Sequence, residues 1–215
     1  MRRLLATAAA VLTVTVAAPA HAGSWSAPDP AGDATSYAWD PEPEPCGTYT
    51  ATRHDVGDLR RLSVRHGRDD VVLTTVMAGY DEVRYASVTF SIRTERRAWT
   101  LDVDRFRGRL EAVLFHDDRP ETDEVDECGA AGWVSFGLRC DRLSPSADRA
   151  SGRIRVVLPR SCLRDPRWVR AGVESFAGLG GGVQVLDAWE PRSRRDDDPL
   201  TPTYGPRVRR AGAAR

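Results

Sequence analysis

From position 86 the chain alternates: Ala86, Val88, Phe90 and Ile92 are apolar, while Ser87, Thr89 and Ser91 are polar. A period of two puts one set on each side of an extended backbone, which predicts a half-buried strand. Trp99, Leu101 and Val103 repeat the pattern against Thr100 and Asp102, and Leu110, Ala112 and Leu114 follow beyond a turn at Arg105 to Gly108. Ile154, Val156 and Leu158 alternate with Arg153 and Arg155. Leu62 to His66 and Val71 to Met77 flank a turn at Gly67 to Asp70, and the second run is apolar on both parities, as a strand covered on both faces would be. Trp133 to Leu138, Trp168 to Val173 and Val183 to Ala188 bring the count to about nine strands. No amphipathic helix of ten residues stands out. The pattern predicts an all-β fold, an antiparallel β-sandwich, with a closed barrel as the structural alternative.

The flanks read differently. Arg2 and Arg3 precede an uncharged, largely apolar run from Leu4 to Ala18, and Ala20-His21-Ala22 supplies a small-x-small cleavage pattern. Residues 1–22 are therefore expected to be a secretory signal peptide, the run being short of the ~20 apolar residues a spanning helix needs. Residues 23–48, dense in Pro, Asp, Gly and Ser, are expected to be an extended segment, because each proline removes a donor and restricts its predecessor. The sandwich is expected over 49–190 and a disordered tail over 191–215. The expected address is secreted, outside the cell, with no membrane span.

Composition narrows the chemistry. The 31 basic residues are all Arg and there is no Asn. Lysine Schiff bases, the P-loop lysine and Asn-linked glycosylation are excluded. Thirty-one acids bring the formal net charge to zero, so nothing in bulk points to nucleic acid. Cys46, Cys128, Cys140 and Cys162 are expected to pair in an oxidising compartment. Cys140–Cys162 with Cys46–Cys128 is preferred, because the first joins neighbouring strand ends, and a local Cys128–Cys140 loop is the rival. No C-x-x-C or H-x₃₋₅-H spacing supports zinc.

The stretch from Val156 to Arg170 (VVLPRSCLRDPRWVR) resembles a segment of uncharacterised secreted β-sandwich proteins of actinomycete-type bacteria. Asp29-Pro-Ala-Gly-Asp33, the run from Asp58 to His66 and the closing Tyr204 to Arg209 fit the same resemblance. More distantly, Asp-x-x-Gly-Asp ahead of a β-sandwich is similar to DOMON-like domains and family 9 carbohydrate-binding modules. The resemblance implies a fold and an address, and no activity.

No catalytic residue is assigned. Ser135 lacks the spacing and strand-to-helix turn of a nucleophile elbow. His54 and His116 read as loop histidines, and His66 as partly buried at a sheet edge. Gly178 to Gly182 reads as a hairpin loop. Asp117 to Glu127 carries seven carboxylates against one Arg. Asp117, Asp118, Asp123 and Asp126 are accordingly candidate ligands for Ca²⁺, a solvated loop being the alternative. Asp29 and Asp33 could serve similarly, or simply shape a turn. Trp168, opposite in parity to Val169, Ala171 and Val173, is the candidate sugar-stacking residue. Arg153, Arg155 and Arg170 are candidates for a basic stripe toward an acidic glycan, and cross-strand acids are their other use. The expected function is a binding or interaction module for a polysaccharide, a cell-envelope component or a protein. A carboxylate-dependent hydrolase using Asp117 or Asp123 is the alternative.

Overall fold

A computed structural model describes residues 23–40, 42, 47–116, 137–189 and 203–212. Among the described residues thirteen strands run in chain order: β1 (Ser24–Pro28), β2 (Thr35–Asp40), β3 (Thr48–Arg53), β4 (Leu59–His66), β5 (Asp70–Met77), β6 (Tyr85–Arg93) and β7 (Ala98–Phe106). They continue as β8 (Arg109–His116), β9 (Ser144–Asp148), β10 (Arg153–Pro159), β11 (Trp168–Gly180), β12 (Val183–Ala188) and β13 (Val208–Arg209). One 3-10 turn, Arg160–Leu163, lies between β10 and β11.

The strands form two antiparallel sheets. The smaller has the order β1-β4-β5-β10-β9; the larger has β3-β2-β12-β11-β6-β7-β8, with β13 added against β11. The sheets pack face to face, so the molecule is a sandwich. The alternation read along β6, β7 and β10 is what closes it: Val88, Phe90, Ile92, Leu101, Val103, Ile154, Val156 and Leu158 all turn inward and are buried in one cluster. Burying a Leu, Ile, Val or Phe side chain contributes ~1.5–3 kcal/mol, so this cluster is the main driving force for the fold. Trp99 is buried with it.

Two boundary expectations change. Within 23–48, β1 joins the edge of the smaller sheet by pairing with β4, and β2 joins the larger by pairing with β12 and β3. The segment is thus shared between both sheets. Its prolines fall where this is tolerated, Pro28 closing an edge strand and Pro30 lying in the turn after it. At the other end, residues 203–212 dock as a strap. Gly205 N–H donates to Ala171 O, Ala211 N–H to His66 O, and Val208 is buried. A disordered tail over all of 191–215 is therefore wrong for 203–212. The strap follows from its own chemistry, since Val208 supplies an apolar anchor and the first residues of β11, which β12 does not reach, supply an open edge.

Cys140 and Cys162 form a disulfide, with Cα atoms 5.7 Å apart, joining the approach to β9 to the 3-10 turn after β10. The expected Cys46–Cys128 partner pair and the signal-peptide assignment lie outside the described residues, as does most of the strand expected at Trp133 to Leu138. No helix among the described residues is long and apolar enough to cross a membrane.

Candidate functional site

Directly opposed residues in an antiparallel sheet share a face. One such row crosses the larger sheet through Tyr37, Gln184, Gly178, Tyr85 and Phe106. The next carries Thr35, Leu186, Phe176, Ser87 and Asp104, and a third Glu174, Thr89, Asp102 and Val113. Trp39 opposes Tyr49 two residues along from Tyr37, and so belongs to the same side. The intervening row, Ser36, Val185, Ala177 and Ala86, is buried in the sandwich. The three rows therefore face outward.

Among the described residues, every exposed large apolar side chain lies on that outer face: Trp39 (54% exposed), Tyr49 (60%), Phe106 (56%), Leu186 (42%) and Val113 (36%). Half-buried rings link them edge to face, with Tyr37–Tyr49 centroids 6.4 Å apart, Tyr85–Phe106 6.4 Å and Tyr85–Phe176 5.9 Å. Polar groups are interleaved. Tyr85 Oη donates to Asp104 Oδ1 at 2.9 Å and Thr89 Oγ1 to Asp102 Oδ1 at 2.8 Å. Burial pushes the Asp102 carboxyl above its usual range, against the lowering effect of Thr89 and with help from Asp104. Burial likewise raises the Tyr85 phenol. A groove of about 480 Å³ opens among Tyr37, Thr89, Glu174, Phe176 and Leu186 and reaches Asp33 and Asp187 at its end.

This face was missed in the sequence, although a signal was present. Phe106 and Phe176 each sit on the outward parity of their strands, out of phase with Val103 and Val173. A single apolar residue out of phase is ordinary; only the sheet register shows that several coincide.

The residues singled out beforehand are scattered. Trp168 is half-buried on the wall of a second cleft of about 610 Å³, beside Arg160, Arg167, Arg207, Arg209 and Arg210. The Arg207 guanidinium lies 4.5 Å over its ring, so the ring is stacked on a cation within the chain. Arg153 and Arg155 point outward from β10 in the smaller sheet, whereas Arg170 is on β11 of the larger. Arg170 donates to the carbonyls of Tyr204 and Gly205, holding the strap. The three do not form one stripe, because β10 and β11 belong to different sheets. Arg153 instead faces Asp148 across the β9–β10 pair.

The histidines also have separate structural partners: His54 closes a turn on Val56, His66 bonds to Val208 O, and His116 stacks on Trp99. His66 is fully buried rather than partly so. Gly181 and Gly182, both with positive φ, make the β11–β12 turn. Asp117, Asp118, Asp123, Asp126 and Ser135 lie outside the described residues.

A different set of carboxylates converges. Asp29 follows β1, Asp33 precedes β2, Asp58 precedes β4 and Asp187 is on β12. One oxygen from each lies within 4.8 Å of the other three. The chain crosses from the smaller sheet to the larger between Asp29 and Asp33 and back again just before Asp58, so the cluster marks the point where the sheets are tied. Gly32 N–H donates to Asp58 Oδ2 at 2.5 Å, and Arg60 Nη2 lies 3.0 Å from the same oxygen. Asp187 accepts from Leu59 N–H at 2.6 Å through Oδ2 and from Ala188 N–H through Oδ1. Burial, with Asp33 and Asp58 close by, pushes the Asp187 carboxyl up to about 7; burial also raises Asp58. Compared with known proteins, the chain matches no family model, no curated protein and no solved structure.

Proposed function

We propose that the protein is a binding module for a neutral polysaccharide, which it engages on the outer face of the larger sheet, and that it works outside the cytoplasm. The observation that carries this reading is the gathering of Trp39, Tyr49, Phe106, Leu186 and Val113 on one sheet face. Large apolar side chains exposed together on one sheet face mark an interaction site more often than a solvated face. Its chemistry suits a sugar chain. Aromatic rings offer flat surfaces to the C–H faces of pyranoses, and the carboxylates of Asp102, Asp104 and Glu174 accept hydrogen bonds from hydroxyls. Tyr49 on β3 and Phe106 on β7 are separated by five inter-strand steps, ~24 Å at ~4.8 Å per strand, which favours a chain of several residues over a monosaccharide. The signal-like residues 1–22 and the Cys140–Cys162 disulfide support the extracellular address.

The test is retention of the purified protein on neutral insoluble and soluble polysaccharides (cellulose, chitin, xylan, α-glucan), compared with Tyr49→Ala, Phe106→Ala and, on the opposite sheet, Arg155→Ala. Each aromatic truncation should weaken binding ~10-fold or more, as loss of a stacked aromatic anchor does, with Arg155→Ala unchanged. Equal retention of all three variants, or no retention on any neutral glycan, would overturn the reading. A second reading rests on Arg167, Arg207, Arg209 and Arg210 beside Trp168, which fit an anionic envelope polymer. It predicts retention on anionic polymers alone, abolished by Arg209→Ala.

A further inference from the structure

We propose that Asp29, Asp33, Asp58 and Asp187 form a calcium site that clamps the two sheets together where the chain passes between them.

Four ionised carboxylates within 4.8 Å would carry four negative charges, and Arg60 supplies one positive charge to one of them. Placing like charges this close in a partly buried setting is strongly unfavourable unless protons or a cation neutralise them. The hydrogen bonds around the cluster are also incomplete. Asp58 is 0% exposed, yet its Oδ1 has no hydrogen-bond donor, and Asp33 Oδ1 is buried and equally without one. A buried carboxylate oxygen without a donor costs free energy unless something else coordinates it. Asp58 Oδ2 is already held by Gly32 N–H and Arg60, and Asp187 is oriented by Leu59 and Ala188 N–H groups. Backbone N–H groups and Arg60 thus fix Asp58 and Asp187, while Oδ1 of Asp58 and of Asp33 is left for a ligand.

The donor set selects the ligand. It is all oxygen and all carboxylate, with no Cys or His, which points to a hard cation rather than zinc or copper. Calcium takes 6–8 oxygens at ~2.3–2.6 Å in flexible geometry, so ligand atoms on opposite sides of the ion stand ~4.6–5.2 Å apart, matching the spread of this set. Magnesium demands a tighter octahedron and keeps several of its waters, and is the poorer fit to four converging carboxylates. The groove that reaches Asp33 and Asp187 provides a path for the ion. The residues come from β1–β2, β3–β4 and β12, so binding would hold the edges of both sheets in register. This site is independent of the polysaccharide reading.

The experiment is thermal unfolding of the purified protein, followed by circular dichroism, in chelator, in calcium and in magnesium, for wild type, Asp58→Asn and Asp187→Asn. Calcium should raise the wild-type midpoint by a steady increment for each tenfold rise in free ion, as a ligand of the native state does. Both variants should lose that response. In chelator they should unfold no earlier than wild type, since each relieves a crowded charge. If Asp58→Asn does not fold, Asp33→Asn on the more accessible side makes the same test. An identical wild-type midpoint in chelator and in millimolar calcium would overturn the proposal, and so would a wild-type calcium response that persists in Asp58→Asn or Asp33→Asn. A magnesium response as large as that to calcium would overturn the choice of ion.

Discussion

His66 shows how much a single buried group can report. Its ring is closed off between the end of β4 and the strap, with Nδ1 3.0 Å from Val208 O. Burial lowers its affinity for a proton, Arg160 and Arg210 add to that, and the Val208 carbonyl and Glu95 oppose it. The folded-state value is therefore below that of the unfolded chain. Its contribution to stability is complete above pH ~6.5 and is lost as the pH falls below that value. Asp187 acts in the opposite direction when no cation is present. Its carboxyl holds a proton up to about pH 7, whereas the unfolded chain releases it near 3.8. Stability from this group is greatest at low pH and is lost as the pH rises from about 4 to about 7. In urea titrations with chelator, His66→Gln should remove the acid-side loss, and Asp187→Asn should remove the fall toward neutrality. Unchanged pH profiles in both variants would refute these assignments.

At the level of elements, two glycines are required by close backbone approach. Gly172, on β11, lies under the strap: a Cβ there would come within 2.1 Å of Thr203 O. Gly172→Ala should lift the strap, seen as faster amide exchange at Gly205 and Ala211 with the far-UV spectrum retained. Protection equal to wild type would show that the strap is held without that contact. Gly152, in the β9–β10 turn, has φ +64°, and a Cβ would come within 2.0 Å of Met77 O. Gly152→Ala should cost at least ~1–3 kcal/mol, from the backbone conformation alone. An unchanged urea midpoint would contradict this. The alternation along β6, β7 and β10 was readable because a strand with one buried face repeats every two residues. β1 and β2 were not readable, since strands of five and six residues, the first an edge strand closed by Pro28 and the second with Ser36 as its one buried position, carry too few inward apolar positions to show a period.

For the molecule as a whole, the Cys140–Cys162 link closes a loop with a sequence separation of 22, which in the chain-entropy account stabilises by ~3 kcal/mol. The double substitution Cys140→Ser/Cys162→Ser should lower stability by about that amount while leaving the strand content unchanged. A variant as stable as wild type would mean that the link contributes little. The sequence by itself determined the β class, the inward set of the central strands and the mechanisms that a chain without Lys or Asn cannot use, since periodicity and composition are local properties. Only the tertiary structure decided which surface is apolar and which carboxylates meet. Tyr37, Tyr49, Phe106 and Leu186 lie on separate strands, and Asp29 and Asp187 stand near opposite ends of the sandwich segment. Their convergence depends on strand order and register, which arise from many weak side-chain contacts acting together and leave no mark at any one position.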